Sequence, residues 1–297
     1  MHDRKPKQSP KPATARAMPG LARITRPPSD LPGWAALFRP QALPVLAATA
    51  ARLDELRDHE DAVDAHGLAE IVADDPLLTL KLLAHVGHLL RNRDATEVET
   101  VTAALVMLGI PPFFRQFSEL AVAEDTLSDM PAALEGFQAV LRRSHRAARF
   151  AIGFAVHRMD YDAPLIHEAA LLHDFAELLL WLHAPTLALR IAALQAADAT
   201  LRSAAVQREV LGIELVELQH LLMQQWRLPG LLVQLTDDHA TRSTPQLRNV
   251  MLAIRVARHS AAGWDNAALP DDVSDIAELL QLSNDATTRL LHEIDED

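Results

Sequence analysis

The sequence predicts an all-α protein built as two packed helical lobes, and three observations carry that expectation. Apolar residues recur at helical spacing along most of the chain, with no convincing alternating strand pattern between them. Only 10 of the 297 residues are Gly and aromatics make up 4%, so Leu, Ala, Val and Ile must build the core, a composition that favours helix. Helix starts are marked by Asp, Thr and Pro, which accept from the first unbonded N–H groups or dispense with one of them.

Residues 1–32 are Pro-rich, basic and unpatterned, and read as a disordered tail. The amino-terminal lobe is placed at 33–126. It begins with a stripe of Val45, Leu46, Leu53 and Leu56. Asp64 then caps a short helix that turns Leu68, Ile71 and Val72 inward. Asp75-Pro76 opens a helix over 77–90 carrying Leu77, Leu80, Leu83 and Leu90. After a polar loop over 91–99, Thr100 caps a helix with Val101, Ala104, Leu105 and Leu108 on its apolar face, and Gly109 is expected to end it in the left-handed conformation. Pro111-Pro112 opens a further helix through Ala123.

The second lobe is placed at 131–262 and starts at Pro131. Residues 132–159 suit one long helix or a kinked pair, weakened by Gly136 and Gly153. A helix over 165–183 contains His173-Asp174, and Pro185 bounds the next, to about Ala197. Helices over 201–211, 214–226, 229–239 and 245–262 complete the lobe. Residues 263–297 form a carboxy-terminal helical extension, with a helix over 273–282.

Composition removes several classes of function. With no cysteine there are no disulfides, thiolate nucleophiles or zinc–thiolate sites, which fits a reducing compartment. No apolar run reaches a membrane span and the amino terminus lacks a signal-like apolar stretch, so the cytoplasm is the expected location. Residues 1–27 carry seven Lys/Arg against one acid, whereas the remainder carries 21 against 39. A body that acidic argues against nucleic-acid binding, and the basic tail reads as a solvated end. No phosphate-binding Gly loop or Gly-x-Ser-x-Gly turn is present. Trp34, Trp181, Trp226 and Trp264 read as core or interface fillers, since no basic groove accompanies them.

The run Leu171-Leu172-His173-Asp174 is the strongest chemical signal. An imidazole and a carboxylate buried among leucines need a metal or each other. Other histidines are weaker candidates. His85 and His88 stand at i, i+3 without a carboxylate on the same face, and read as solvated. His167-Glu168 begins like a zincin, but Leu171 stands where the second His belongs. Asp237-Asp238-His239 reads as a polar helix end, with His239 as a potential late ligand.

Two groups of motifs resemble the HDOD family, the HD-related output domains of bacterial signalling proteins. In the first half these are Leu43-Pro44, Leu68-Ala69-Glu70-Ile71-Val72, Asp75-Pro76-Leu77-Leu78-Thr79 and Ala103 to Ile110. In the second they are Ser144-His145, Ala169 to Asp174, Glu209-Val210-Leu211-Gly212 and Trp226-Arg227-Leu228-Pro229. The likeness spans roughly residues 40–262 and implies that the carboxy-terminal lobe is HD-like. The chain departs from the pattern in places. Gly87-His88 stands for Asn-Ser, and Phe175-Ala176-Glu177 stands for Ile-Gly-Lys, which reverses a charge. There is no Gly-Tyr-Pro, so the cyclic-dinucleotide phosphodiesterase subtype is not supported.

The resemblance implies a ligand set as well. An HD hydrolase holds a divalent ion with an earlier His, the His-Asp pair and a later Asp. His145, His173 and Asp174 match three of these positions, while Ala253-Ile254 aligns with the last, where Ile254 cannot coordinate. The expectation is therefore a vestigial site with no metal or other cofactor, and His173–Asp174 retained as a buried structural pair. Asp174→Ala should then cost about 1–3 kcal/mol by stranding the His. The function implied is a non-catalytic bacterial signalling module that contacts regulatory proteins supplied by separate chains. The alternative is a phosphohydrolase using Mn, Mg, Fe or Zn on His145, His173, Asp174 and His239.

Overall fold

Local capping fixes where the first helices begin. The Asp64 carboxylate accepts from Gly67 N–H at 2.7 Å, and the Thr100 hydroxyl accepts from Ala103 N–H at 3.3 Å. Asp75 does more. Its Oδ1 accepts from Leu77 and Leu78 N–H at 2.9 and 3.0 Å, and its Oδ2 reaches back to Leu46 N–H at 2.7 Å. One side chain thus starts a helix and ties it to the segment before the preceding pair. The computed structural model describes residues 23–296 apart from 60–62, 92–97, 199 and 238–243.

The amino-terminal lobe comprises α1 (Leu31–Ala35), a 3₁₀ turn (Pro40–Ala42), α2 (Ala47–Arg57), α3 (Ala65–Ala73), α4 (Pro76–Leu89), α5 (Val101–Leu108), α6 (Ile110–Gln116) and α7 (Ala123–Thr126). The second lobe comprises α8 (Pro131–Arg158), α9 (Ala163–Leu172), α10 (Phe175–His183), α11 (Pro185–Ala197), α12 (Ser203–Leu211), α13 (Leu215–Gln225), α14 (Gly230–Leu235) and α15 (Pro245–His259). The extension folds as α16 (Leu269–Leu280) and α17 (Asn284–Glu296). Among the described residues the only extended pairing is an isolated parallel bridge between Val45 and Val122. One continuous apolar core runs from Trp34 to Leu291 through both lobes.

The long α8 is the spine of the second lobe and packs against α9, α15 and α17. It is a single helix in spite of its two glycines. Both mark close approaches: a Cβ on Gly136 would fall within the Trp181 indole, and one on Gly153 would lie 2.5 Å from the Ile294 δ-methyl. Three other expectations are corrected. The helix foreseen over 165–183 is two helices, broken at His173-Asp174. The helix foreseen through Ala123 stops at Gln116, because residues 121 and 123 exchange backbone hydrogen bonds with Val45 at 2.8 and 2.9 Å. Gly109 takes a positive φ of 83°, but with ψ 151° it is not left-handed helical, since α6 starts at the next residue.

Of the expected tail, residues 1–22 lie outside the described residues. From Arg23 onward the chain lies on the body. The Arg23 guanidinium grips both Asp129 oxygens at 2.8 and 2.5 Å and donates to the Thr126 carbonyl at 2.9 Å. Ile24 N–H donates to the His183 carbonyl at 2.7 Å. No single helix among the described residues is long and apolar enough to cross a membrane.

Candidate functional site

The break between α9 and α10 creates the site. Asp174 occupies the N-cap position of α10 but makes no capping hydrogen bond there. Its carboxylate instead faces side chains from α8 and α15. Oδ2 accepts from Arg143 Nε at 2.9 Å, and Oδ1 accepts from Arg258 Nη2 at 2.6 Å and from His173 Nδ1 at 3.1 Å. A second nitrogen of Arg143, Nη2, reaches Glu177 Oε2 at 2.6 Å. Burial alone would push the Asp174 carboxyl up. The Arg258 charge, the His173 hydrogen bond and the Arg143 charge outweigh it and hold the group well below the usual carboxylate range. The Arg143 guanidinium is correspondingly pushed up, burial being opposed by Glu177 and Asp174.

The positions aligned with metal ligands do not converge. His173 stays beside Asp174, but His145 points away toward the other lobe, where its Nε2 donates to the Asp74 carbonyl at 2.7 Å. Ile254 lies buried in α15. His239 lies outside the described residues. Among the described residues no group of three His, Cys, Asp or Glu side chains is placed to hold a metal ion. Among the described residues the donor set does not fit a divalent cation, because guanidinium groups already sit on both oxygens of Asp174.

The other candidates are dispersed. The His85 ring meets Phe117 edge-on at 5.9 Å, and His88 is exposed. His167 is pushed down by burial and by the nearby His145. Glu168 is almost fully buried in α9 and accepts from Val101 N–H, the first residue of α5, at 2.8 Å. Its other oxygen, Oε2, is buried without a partner, and burial pushes the carboxyl up to about 8. Trp34, Trp181 and Trp226 are core residues, and Trp264 packs against it.

Beside the clamp lies a cavity of about 420 Å³, whose lining includes Arg143, Asp174, Arg258, Trp181, Gln207 and Gln219. The two arginines are the functional residues that sequence reasoning missed. One signal for Arg143 was present: Glu177, where the family pattern carries a lysine, needs a positive partner, and Arg143 stands two residues before His145.

Comparison with known proteins agrees with this fold. A family model described as HDOD domain matches residues 43–241. The MmoQ response regulator from Methylococcus capsulatus str. Bath aligns at a TM-score of 0.64 and 22% identity, covering 84% of this chain and 98% of that one. A virulence factor from Campylobacter jejuni subsp. jejuni aligns at 0.60 and 18% identity, covering 84% and 86%. At these identities the likeness is one of fold. No curated protein matches the chain.

Proposed function

The chain belongs to the HDOD domain family, and from that premise we propose that it is a non-catalytic module of bacterial signal transduction that works in the cytoplasm by contact with regulatory proteins on separate chains. The observation that carries this reading is the double guanidinium clamp on Asp174. Arg143 and Arg258 occupy the carboxylate oxygens that a hydrolytic metal would need. A divalent ion entering there would have to displace both and then sit beside their charges, at a repulsion of about 4 kcal/mol per pair of unit charges at 4 Å in a protein-like medium. The clamp also joins α8, the α9–α10 break and α15 into one unit. Such a junction suits a relay, because a partner that binds one packing of the helices better than another shifts the balance between them. The response-regulator description of the Methylococcus protein is in keeping with such a role.

Metal analysis of protein purified without chelators, together with a phosphodiester hydrolysis assay in manganese, tests this reading. The expected result is substoichiometric metal and no turnover. Stoichiometric metal and hydrolysis that both vanish in His173→Ala would overturn it.

A further inference from the structure

Three glutamines line the cavity beside the clamp, one each from α11, α12 and α13, and each uses only one end of its amide group within the protein. Gln219 Oε1 accepts from Ala176 N–H at 3.4 Å, and Gln207 Oε1 accepts from Leu215 N–H at 2.9 Å. Gln195 Nε2 donates to the Ser203 hydroxyl at 2.9 Å. Backbone donors fix the orientation of the first two amides, so Gln207 and Gln219 are left with NH₂ groups that carry two hydrogens each. Neither NH₂ group, nor Gln195 Oε1, has a partner among the described residues. Gln219 is only 4% exposed, and an unpaired amide donor at such a depth is costly unless an acceptor reaches it.

The charged groups of the wall are matched among themselves. Asp174 is held by Arg143 and Arg258, Glu177 by Arg143, and Glu214 by Arg208. Three carboxylates thus face three arginines, and a ligand of either sign would bring an unmatched charge into the cavity. What stays open is two amide donors and one amide acceptor, beside an apolar wall that includes Leu180 and Ile191. We propose that this cavity is a binding site for a small neutral molecule that carries an amide group on an apolar body. Its carbonyl oxygen takes the NH₂ donors of Gln207 and Gln219, its N–H meets Gln195 Oε1, and its body lies against the apolar wall. A volume of about 420 Å³ falls within the range of small-molecule sites. Occupancy here does not depend on whether Asp174 ever meets a metal, or the module a partner protein.

Nitrogen-15 NMR spectra of the full chain read this directly through the side-chain NH₂ signals of Gln207 and Gln219, assigned by substitution. Hexanamide is the probe, and hexanoate and hexylamine are controls with the same body and opposite charges. Hexanamide should shift both signals and saturate, with a dissociation constant of about 1–20 mM for so small a ligand. Each control should bind about tenfold more weakly or worse. Gln207→Glu keeps the acceptor for Leu215 N–H but removes the donor, and should weaken hexanamide about tenfold, read at Gln219, with helical circular dichroism unchanged. Ala192→Phe, at an exposed position on the same wall, should fill the cavity and abolish binding without touching either glutamine. The absence of a saturable shift with hexanamide would overturn the proposal. So would a control that binds as tightly, or hexanamide binding that is unchanged in either variant.

Discussion

Asp75 and Asp174 each stand one residue before a helix, one in each lobe, and both carboxyl groups are largely or wholly buried. They are held in opposite ways. Asp75 is served by the N–H groups of Leu46, Leu77 and Leu78, and burial still pushes its carboxyl up. Asp174 abandons its own helix start for Arg143, Arg258 and His173, and is held well down. At Asp75 burial outweighs the neutral donors, whereas at Asp174 the guanidinium groups outweigh burial. The first arrangement builds a lobe from local sequence. The second ties together helices that are far apart in the chain.

The harshest way to break this contrast is Asp174→Asn. The amide keeps the shape but sets an NH₂ group against arginine donors and removes the negative charge that Arg143 and Arg258 share. The expected cost is about 3 kcal/mol in urea unfolding at neutral pH, since removing one partner of a buried ion pair strands the others. The clamp also makes stability depend on acid. Because the folded carboxyl lies below its unfolded value, its contribution is present above about pH 3.9 and fades as pH falls toward the folded value. Asp174→Asn should lack that acid-driven loss. A variant as stable as the wild type would show that the clamp does not hold the lobe together.

Glu168 sharpens the comparison, because it is served by one backbone N–H instead of three and pairs with no cation among the described residues. Its carboxyl rises to about 8 from an ordinary 4.5. The unfolded chain therefore gives up this proton at a lower pH than the folded one does. The group's contribution is complete below about pH 4.5 and declines as pH climbs toward 8. Glu168→Gln stays neutral in both states and should remove this decline, so that it gains on the wild type as pH rises from about 4.5 to 8. Parallel stability curves for the two proteins between pH 5 and 8 would contradict that assignment.

The same contrast explains what could be read from the sequence. The capping roles of Asp64, Asp75 and Thr100 act over two or three residues and were legible, as was the family through the order of its motifs. The break at His173-Asp174 was not. No Gly or Pro interrupts that apolar run, and the bend is set by arginines 31 residues before and 84 residues after Asp174. Gly136 and Gly153 looked like weak points, and their use as seats for Trp181 and Ile294 depends on contacts that only the folded chain brings together. At the site, His173 and Asp174 were found as a pair, but the turn of His145 toward Asp74 depends on how the lobes pack.

The gentlest test is Asp75→Asn. Asparagine caps helices about as well as aspartate, so its oxygen can keep the bonds from Leu77 and Leu78 N–H. What is lost is the acceptor for Leu46 N–H, which would face an amide donor. Loss of one neutral hydrogen bond costs about 1 kcal/mol. The expected shift is therefore about a third of that for Asp174→Asn in the same urea titration, with no change in its acid limb. Equal losses in the two variants would mean that Asp75 works as an anion too, and that the two lobes hold their aspartates by the same physics.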